Sequence, residues 1–159
     1  MSTPASVGRH PIHPILVALP IGLWVFSVVA DIVFQLGWGP TVWKDVAYYT
    51  LAGGIVGALL AAIPGFIDFL SITEERARQT GITHMVANLI ALVVFGASFW
   101  LRWINTVGWL PVAFSIVGLV ALGAAGWLGG ELVFVHNMGV QPPKPAARHS
   151  KAGSQRRIA

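Results

Sequence analysis

Residues 14–35 read PILVALPIGLWVFSVVADIVFQ and hold one charged side chain, Asp31. As a helix rising 1.5 Å per residue, this stretch is about 33 Å long, enough to cross the roughly 30 Å hydrocarbon core of a bilayer. Apolar stretches of similar length follow at residues 47–70, 84–101 and 110–135. The segments between them (QLGWGPTVWKD, SITEERARQTGIT and RWINTVG) are rich in Gly, Pro, Trp and charge, as turns at a membrane surface are. The pattern predicts four membrane-spanning helices.

The composition agrees with a membrane protein. Hydrophobic residues make up 55% of the 159 residues, charged residues 10%, and the mean hydropathy is +0.72. A soluble globule of this size carries more charge on its surface. Because the predicted loops are short, we expect neighbouring helices to be antiparallel in an all-α, up-down four-helix bundle. Residues 1–140 then form one membrane domain, and residues 141–159 form a basic, disordered tail.

Positive charge predicts the orientation. Two of the ten Lys and Arg residues, Lys44 and Arg102, fall on one side of the predicted membrane, and the other eight fall on the side of the termini. Both termini are therefore expected in the cytoplasm, where the basic tail would meet anionic lipid. No nucleic-acid-binding module surrounds the basic residues, so we expect no nucleic-acid partner. The absence of cysteine excludes disulfides, thiolate nucleophiles and Cys-ligated clusters or zinc.

Small residues predict where the helices touch. On the second stretch Gly53, Gly57, Ala61 and Gly65 recur every four positions, and Gly126 with Gly130 repeats the spacing on the fourth. Such ridges allow close backbone approach in lipid.

Most ionisable residues fall at the ends of the spans rather than inside them. Six of them lie at the predicted cytoplasmic side of the membrane. They are His10 and His13 before the first span, Asp68 near the end of the second, His84 at the start of the third, and Glu131 and His136 at the end of the fourth. Charge inside a bilayer is costly and usually faces a partner, a cavity or a cofactor. We therefore predict one layer in which these side chains share a pocket, with Glu131 about 7 Å deeper than His136. Asn88, one turn after His84, is placed to orient it.

The chemistry of this layer has two interpretations. Neutral imidazole suits iron, copper and zinc, and added carboxylates favour iron, manganese or zinc. His13, His84 and His136 are the candidate ligands of haem b or a metal ion, with Asp68 and Glu131 as further metal ligands or proton acceptors. Two histidines at equal depth would ligate haem from both sides. The alternative is ordinary capping, since His, Asp and Pro are common at helix ends.

Asp31 lies at the opposite side of the membrane. It follows His13 by eighteen residues, about five helical turns, so both point the same way along the first span. Tyr48, Tyr49 or Thr50 is the expected hydrogen-bond partner. A structural role is the main interpretation of Asp31, and a proton relay is the alternative.

Four motifs resemble a bacterial membrane family catalogued as domain of unknown function 2231. They are HPIHPILVALPIG at residues 10–22, AGGIVGALLAAIPGFIDFL at 52–70, THMVANL at 83–89 and GGELVFVHNMGV at 129–140. The resemblance implies four spans in a bacterial cytoplasmic membrane, and His13, Asp68, His84, Glu131 and His136 match positions in the motifs. Some relatives are fused to a Rieske iron–sulfur domain, which implies membrane electron transfer. Because this chain has no cysteine, such a redox partner would be a separate protein.

These observations predict a small electron-transfer or metal-binding protein of the cytoplasmic membrane. The alternative is a non-catalytic accessory subunit that packs against a larger membrane complex through its glycine ridges. A transporter or channel is less favoured, because the sequence shows no inverted repeat. Soluble-enzyme motifs such as a Gly-rich phosphate loop or HExxH are absent from the sequence, so we do not predict an enzyme.

Overall fold

The computed structural model describes residues 3–8 and 10–140, and its main elements are four long helices. They are α1 Ile12–Gln35, α2 Val42–Leu70, α3 Glu75–Trp103 and α4 Trp109–Phe134. All four are long and apolar enough to cross a membrane, which confirms the all-α membrane fold. A short antiparallel ladder of β1 (Ser6–Val7) and β2 (His10–Pro11) precedes α1. The predicted disordered tail lies outside the described residues.

The third helix begins earlier than its apolar run. We expected SITEERARQTGIT to be a turn, but α3 starts at Glu75 and the turn is confined to residues 71–74. The Glu74 carboxylate caps α3 by accepting hydrogen bonds from the backbone N–H groups of Arg76 and Ala77, at 3.2 and 2.9 Å. The Ala77 bond is the main cause that lowers the pKa of Glu74 below its ordinary 4.5. The prediction failed because an apolar-run count stops at the first charges, whereas a helix continues past the membrane surface with its charges in water.

Helices α1 and α2 pack as an antiparallel pair, because contacts early in α1 fall late in α2. Near the start of α1, His13 meets Ala61 and Gly65; further along, Trp24 lies against Gly54. Ser27, further still, donates a 2.7 Å hydrogen bond to the Ala47 carbonyl. The predicted small-residue ridge on α2 is confirmed as a contact surface for α1.

The same contacts recur between α3 and α4. His84 meets Ala125 and Gly129, and Phe95 lies against Gly118. The predicted ridge of Gly126 and Gly130 does not carry the contact between α3 and α4: among the described residues a methyl group added at Gly126 would meet no atom within 4 Å, and one at Gly130 only Phe134, at 3.9 Å. Packing of this ridge against another protein stays a prediction. Ala124, two residues before Gly126, is also exposed. Helix α4 contacts α3 through Gly118, Ala125 and Gly129 instead.

The two hairpins are therefore copies of one arrangement. Arg102 follows Asp31 by 71 positions, and the same offset joins His84 to His13 and Phe95 to Trp24. Ser98, the counterpart of Ser27, donates a 2.7 Å hydrogen bond to Pro111, which is the counterpart of Ala47. The α1 residues up to Ile32 thus have counterparts in α3, and the α2 residues from Asp45 onward have counterparts in α4 64 positions on, as Ala61 has Ala125. This is a parallel internal repeat, in which α1 and α3 run in the same direction.

Counterpart residues of the two hairpins meet each other at three levels of the bundle. The imidazole rings of His13 and His84 have centroids 6.3 Å apart. Trp24 and Phe95 stack at 4.1 Å with ring planes 15° apart, in the fully buried core. Asp31 and Arg102 form an ion pair. Contacts between equivalent residues define an approximate two-fold axis along the helices. We call its two polar levels the histidine end (His13, His84) and the arginine end (Asp31, Arg102).

Candidate functional site

His13, the second residue of α1, reaches across to α2. Its Nδ1 lies 2.8 Å from the carbonyl oxygen of Ala61. A carbonyl oxygen only accepts, so Nδ1 carries a hydrogen, and in the neutral ring Nε2 keeps its lone pair. The ring occupies space that a side chain at Gly65 would fill, because a methyl group there would come within 2.7 Å of Nδ1. Gly65 therefore makes room for the imidazole.

His84 makes the equivalent contacts in the second hairpin. Its Nδ1 donates to the Ala125 carbonyl at 2.9 Å, and a methyl group added at Gly129 would lie 3.1 Å from the ring. The side-chain nitrogen of Asn88 lies 3.1 Å from Nε2 of His84 and 2.9 Å from the His84 carbonyl oxygen. The predicted contact between Asn88 and His84 is therefore confirmed. In their neutral form both histidines are therefore the same tautomer, with Nε2 as the acceptor.

The histidine end is half-buried and sits on the two-fold axis. The two imidazole planes are 88° apart in an edge-to-face arrangement. Because each Nδ1 is held by a carbonyl of its own hairpin, the rings are anchored on opposite sides of the axis. The structure thus brings together two of the three histidines that we proposed as cofactor ligands.

His136 lies at a different level. It follows the end of α4, with Nδ1 3.3 Å from a carboxylate oxygen of Glu74 and Nε2 3.4 Å from the hydroxyl of Thr80. Thr80 is one turn before His84, about 6 Å along α3. We expected the two histidines at one depth because we started α3 at His84, whereas the helix starts at Glu75. His136 therefore ties the end of α4 to the beginning of α3.

The two predicted acidic ligands also lie apart from the histidine end. Buried Asp68 accepts a 2.9 Å hydrogen bond from the backbone N–H of Ala5 and so fastens the N-terminal segment to α2. Glu131 is half-buried, and its side chain makes no hydrogen bond or ion pair to residues 3–8 or 10–140. His10 is exposed in β2, where its backbone pairs with Val7.

No common five-ligand pocket forms. Across the described part of the chain, no three His, Asp or Glu side chains are grouped so that they could hold one metal ion. Of the residues predicted for the site, only His13 and His84, with Asn88 beside His84, lie together.

The arginine end is a buried polar cluster. Both terminal nitrogens of Arg102 donate to the two carboxylate oxygens of Asp31 at 2.6 Å, and the side chains are 10% and 5% exposed. Ser98 and Ser115 lie 3.4 Å from the guanidinium and 2.8 Å from each other. Such a two-pronged, hydrogen-bonded pair offsets part of the cost of burying both charges.

The predicted partners of Asp31 make other contacts. The Thr50 hydroxyl donates to the Val46 carbonyl of its own helix at 2.6 Å, and Tyr48 stacks on Phe99 at 5.0 Å. Arg102 was not predicted as the partner of Asp31, because its charge was interpreted as an orientation signal at the membrane surface. A cavity of about 190 Å³ opens beside the ion pair, lined also by Lys44, Asp45 and Tyr48.

Four long apolar helices around buried polar pairs make this chain a multi-span membrane protein. The family model described as "Predicted membrane protein (DUF2231)" matches residues 9–142, and the chain belongs to that family. Comparison with curated proteins and with solved structures found no significant match.

Proposed function

We propose that the protein is a small electron-transfer or metal-binding protein of the bacterial cytoplasmic membrane, and that His13 and His84 bind its haem b or metal ion through Nε2. The observation that carries the proposal is the pairing of these rings with Nδ1 engaged and Nε2 an acceptor in both. Histidines that ligate metals usually donate their other ring N–H to a carbonyl or carboxylate, which fixes the tautomer and the ring orientation. Both histidines here have that arrangement.

The donor set favours some ligands over others. Two imidazoles without a neighbouring carboxylate or thiolate suit haem iron, whose porphyrin supplies four further nitrogens, or copper. Zinc sites in proteins use three or four side-chain ligands, which this pair does not provide. Haem b and copper are thus better supported than zinc. Either would supply one-electron chemistry, and the protein would supply the two Nε2 atoms that hold it, the orientation of the imidazole rings and a low-dielectric setting. The electron partner would be a separate redox protein.

The competing interpretation of the pair is purely structural. Histidine can link helices in lipid by hydrogen bonds, and each of these rings does link two helices of one hairpin. A useful variant must therefore keep the Nδ1 bond and delete Nε2. Asparagine does this, because its amide nitrogen occupies the position of Nδ1 and it has no counterpart of Nε2.

The test compares H13N and H84N with the wild type and with H10N, which changes an exposed histidine. Each protein is purified in mild detergent, and its visible spectrum in oxidised and reduced forms and its metal content are measured. We expect a chromophore or stoichiometric metal in the wild type and H10N, and its loss in H13N and H84N at nearly unchanged melting temperature. A wild type with no Soret band and no stoichiometric metal would overturn the proposal, as would retention of the ligand by both asparagine variants.

An accessory role in a larger membrane complex is the second candidate. One observation favours it: on α4, Gly123 and Gly126 have open space beyond their backbones, next to an 80% exposed Trp127. Exposed small residues beside an aromatic ring suit packing by another transmembrane helix. Co-purification of a stoichiometric partner in mild detergent, lost in a G126L variant, would support this role. A monomer that carries a cofactor would count against it.

A further inference from the structure

The two halves of the histidine end are alike except at one position. Asn88 is four residues after His84, and the residue four after His13 is Val17. The counterpart of the polar amide is thus an apolar side chain of similar size. Within residues 3–8 and 10–140, Nε2 of His13 has no hydrogen-bond partner, whereas Nε2 of His84 has the amide of Asn88.

The orientation of the Asn88 amide follows from its surroundings. One side-chain atom of Asn88 lies 2.9 Å from the backbone carbonyl oxygen of His84 and 3.1 Å from Nε2. Because the carbonyl oxygen only accepts, that atom must be the amide nitrogen. The nitrogen has two hydrogens and donates one to each acceptor. The lone pair of Nε2, which is the atom that would bind a ligand, is therefore occupied by an amide of the same helix.

We propose that Asn88 is a displaceable cap on His84, and that a ligand of the histidine end binds His13 first and His84 second, once the amide swings away. This inference rests on the proposed function, since it concerns loading of the same site. Asn88 is a positioning residue: it acts on the ligand only through Nε2 of His84. The two histidines are equivalent in the repeat, but Nε2 of His13 is open to a ligand whereas Nε2 of His84 is capped. The Asn88 side chain alone makes this difference.

The size of the effect follows from the hydrogen bond that is lost on loading. A hydrogen bond between uncharged groups contributes a net stabilisation that corresponds to about a three- to tenfold change in an equilibrium constant. Removal of the cap should therefore tighten ligand binding by about three- to tenfold. A residue that supported a bound ligand would have the opposite effect, because loss of outer-sphere support weakens metal affinity by about 10- to 100-fold. The sign of the change separates the two roles.

The repeat provides the matched pair of variants. N88V gives the second hairpin the residue of the first, and V17N gives the first hairpin the residue of the second. Full-length wild type, N88V and V17N are titrated in detergent with haemin alone and with Cu(I) alone, the latter against a coloured chelator. We expect binding about three- to tenfold tighter in N88V and weaker by a similar factor in V17N. Unchanged or weaker binding in N88V would overturn the cap.

A second measurement does not depend on ligand binding. In ¹⁵N-histidine-labelled protein, N88V should move the Nε2 resonance of His84 and leave that of His13 in place. If neither probe binds any of the three proteins, the proposed function and the loading order both fail. The resonance then still reports whether Asn88 engages Nε2, and an unmoved His84 signal shows that it does not.

Discussion

The buried ion pair between Asp31 and Arg102 permits a quantitative prediction about the stability of the bundle. The pair is the charged link between the first hairpin and the second at the arginine end, and its side chains are 5% and 10% exposed. Removal of one partner leaves the other charge buried without compensation, which typically destabilises a protein by about 3–5 kcal/mol. We therefore expect D31L and R102M each to lower the free energy of unfolding by about that amount.

The double variant D31L/R102M should behave differently. With both charges gone, no desolvation cost remains, and replacement of a whole buried pair by apolar residues is often neutral or stabilising by about 1–4 kcal/mol. The double variant is therefore expected to be about as stable as the wild type or more stable. The difference between its stability and the sum of the single effects gives the coupling energy of the pair.

Charge reversal tests the symmetry of the site as well as its energy. Because Asp31 and Arg102 are counterparts about a two-fold axis, the exchange D31R/R102D places the same two groups at the same level. An arginine at position 31 would have Ser27 beside it, as Arg102 has Ser98, but would meet Leu51 where Arg102 meets Ser115. We expect the exchange to recover most, but not all, of the stability lost in the single variants.

The assay is unfolding in mixed detergent micelles, followed by circular dichroism and tryptophan fluorescence. D45L is the control, because Asp45 lines the same cavity but is exposed, and its loss should change stability by less than about 0.5 kcal/mol. Single variants that each cost less than about 1 kcal/mol, or a double variant as unstable as the sum of the two, would refute the argument that the pair is buried and mutually compensating.

Three further predictions follow from other features. G54A should destabilise the protein by about 1–3 kcal/mol, because its methyl group would clash with a buried indole ring, whereas G126A, in open space, should leave the melting temperature nearly unchanged. Glu74 has a lowered pKa, so its stabilisation is present at neutral pH and is lost as the pH falls below 4.5; melting temperatures of the wild type should fall more steeply in that range than those of E74Q. Because the chain has no cysteine, K44C and R78C can report orientation: an impermeant thiol reagent applied to intact cells should label the first and spare the second, and the reverse would show that the termini are outside.

The membrane fold was predictable because it depends on hydropathy summed over a long run of residues, to which every residue in the run contributes. Four apolar runs are long enough to span a bilayer, and helices are the structures that satisfy their own backbone hydrogen bonds there. Helix ends were less predictable, because they depend on local capping. The N-terminal end of α3 is set by Glu74, a charged residue that an apolar-run count treats as a turn.

The candidate site was only partly predictable for a similar reason. His13, His84 and Asn88 were identified, but His136 and Asp68 were placed with them on the assumption that polar residues at neighbouring helix ends share one depth. The partner of Asp31 depends on which helices face each other, and this cannot be obtained from a single helix.

A signal for the missing partner was nevertheless present in the sequence. Serine follows His13 by 14 residues and His84 by 14, and a charged residue follows each histidine by 18. A comparison of the first span with the third would have aligned Asp31 with Arg102, and their opposite charges would have suggested the pair. An inverted repeat reverses direction in the membrane, whereas the two hairpins here run in the same direction, so a parallel repeat of diverged helices does not show as an inverted one.

The opposite charges on the two-fold axis also restrict how such a bundle can arise from two similar hairpins. In a dimer of identical hairpins, a residue on the axis faces a copy of itself, so an aspartate would meet an aspartate and an arginine an arginine. An attractive pair at that position requires the two hairpins to be encoded separately. Tandem fusion in one polypeptide meets this requirement, because it allows each position to change without its twin. The same freedom allows Asn88 to differ from Val17, so that a symmetric scaffold carries an asymmetric centre.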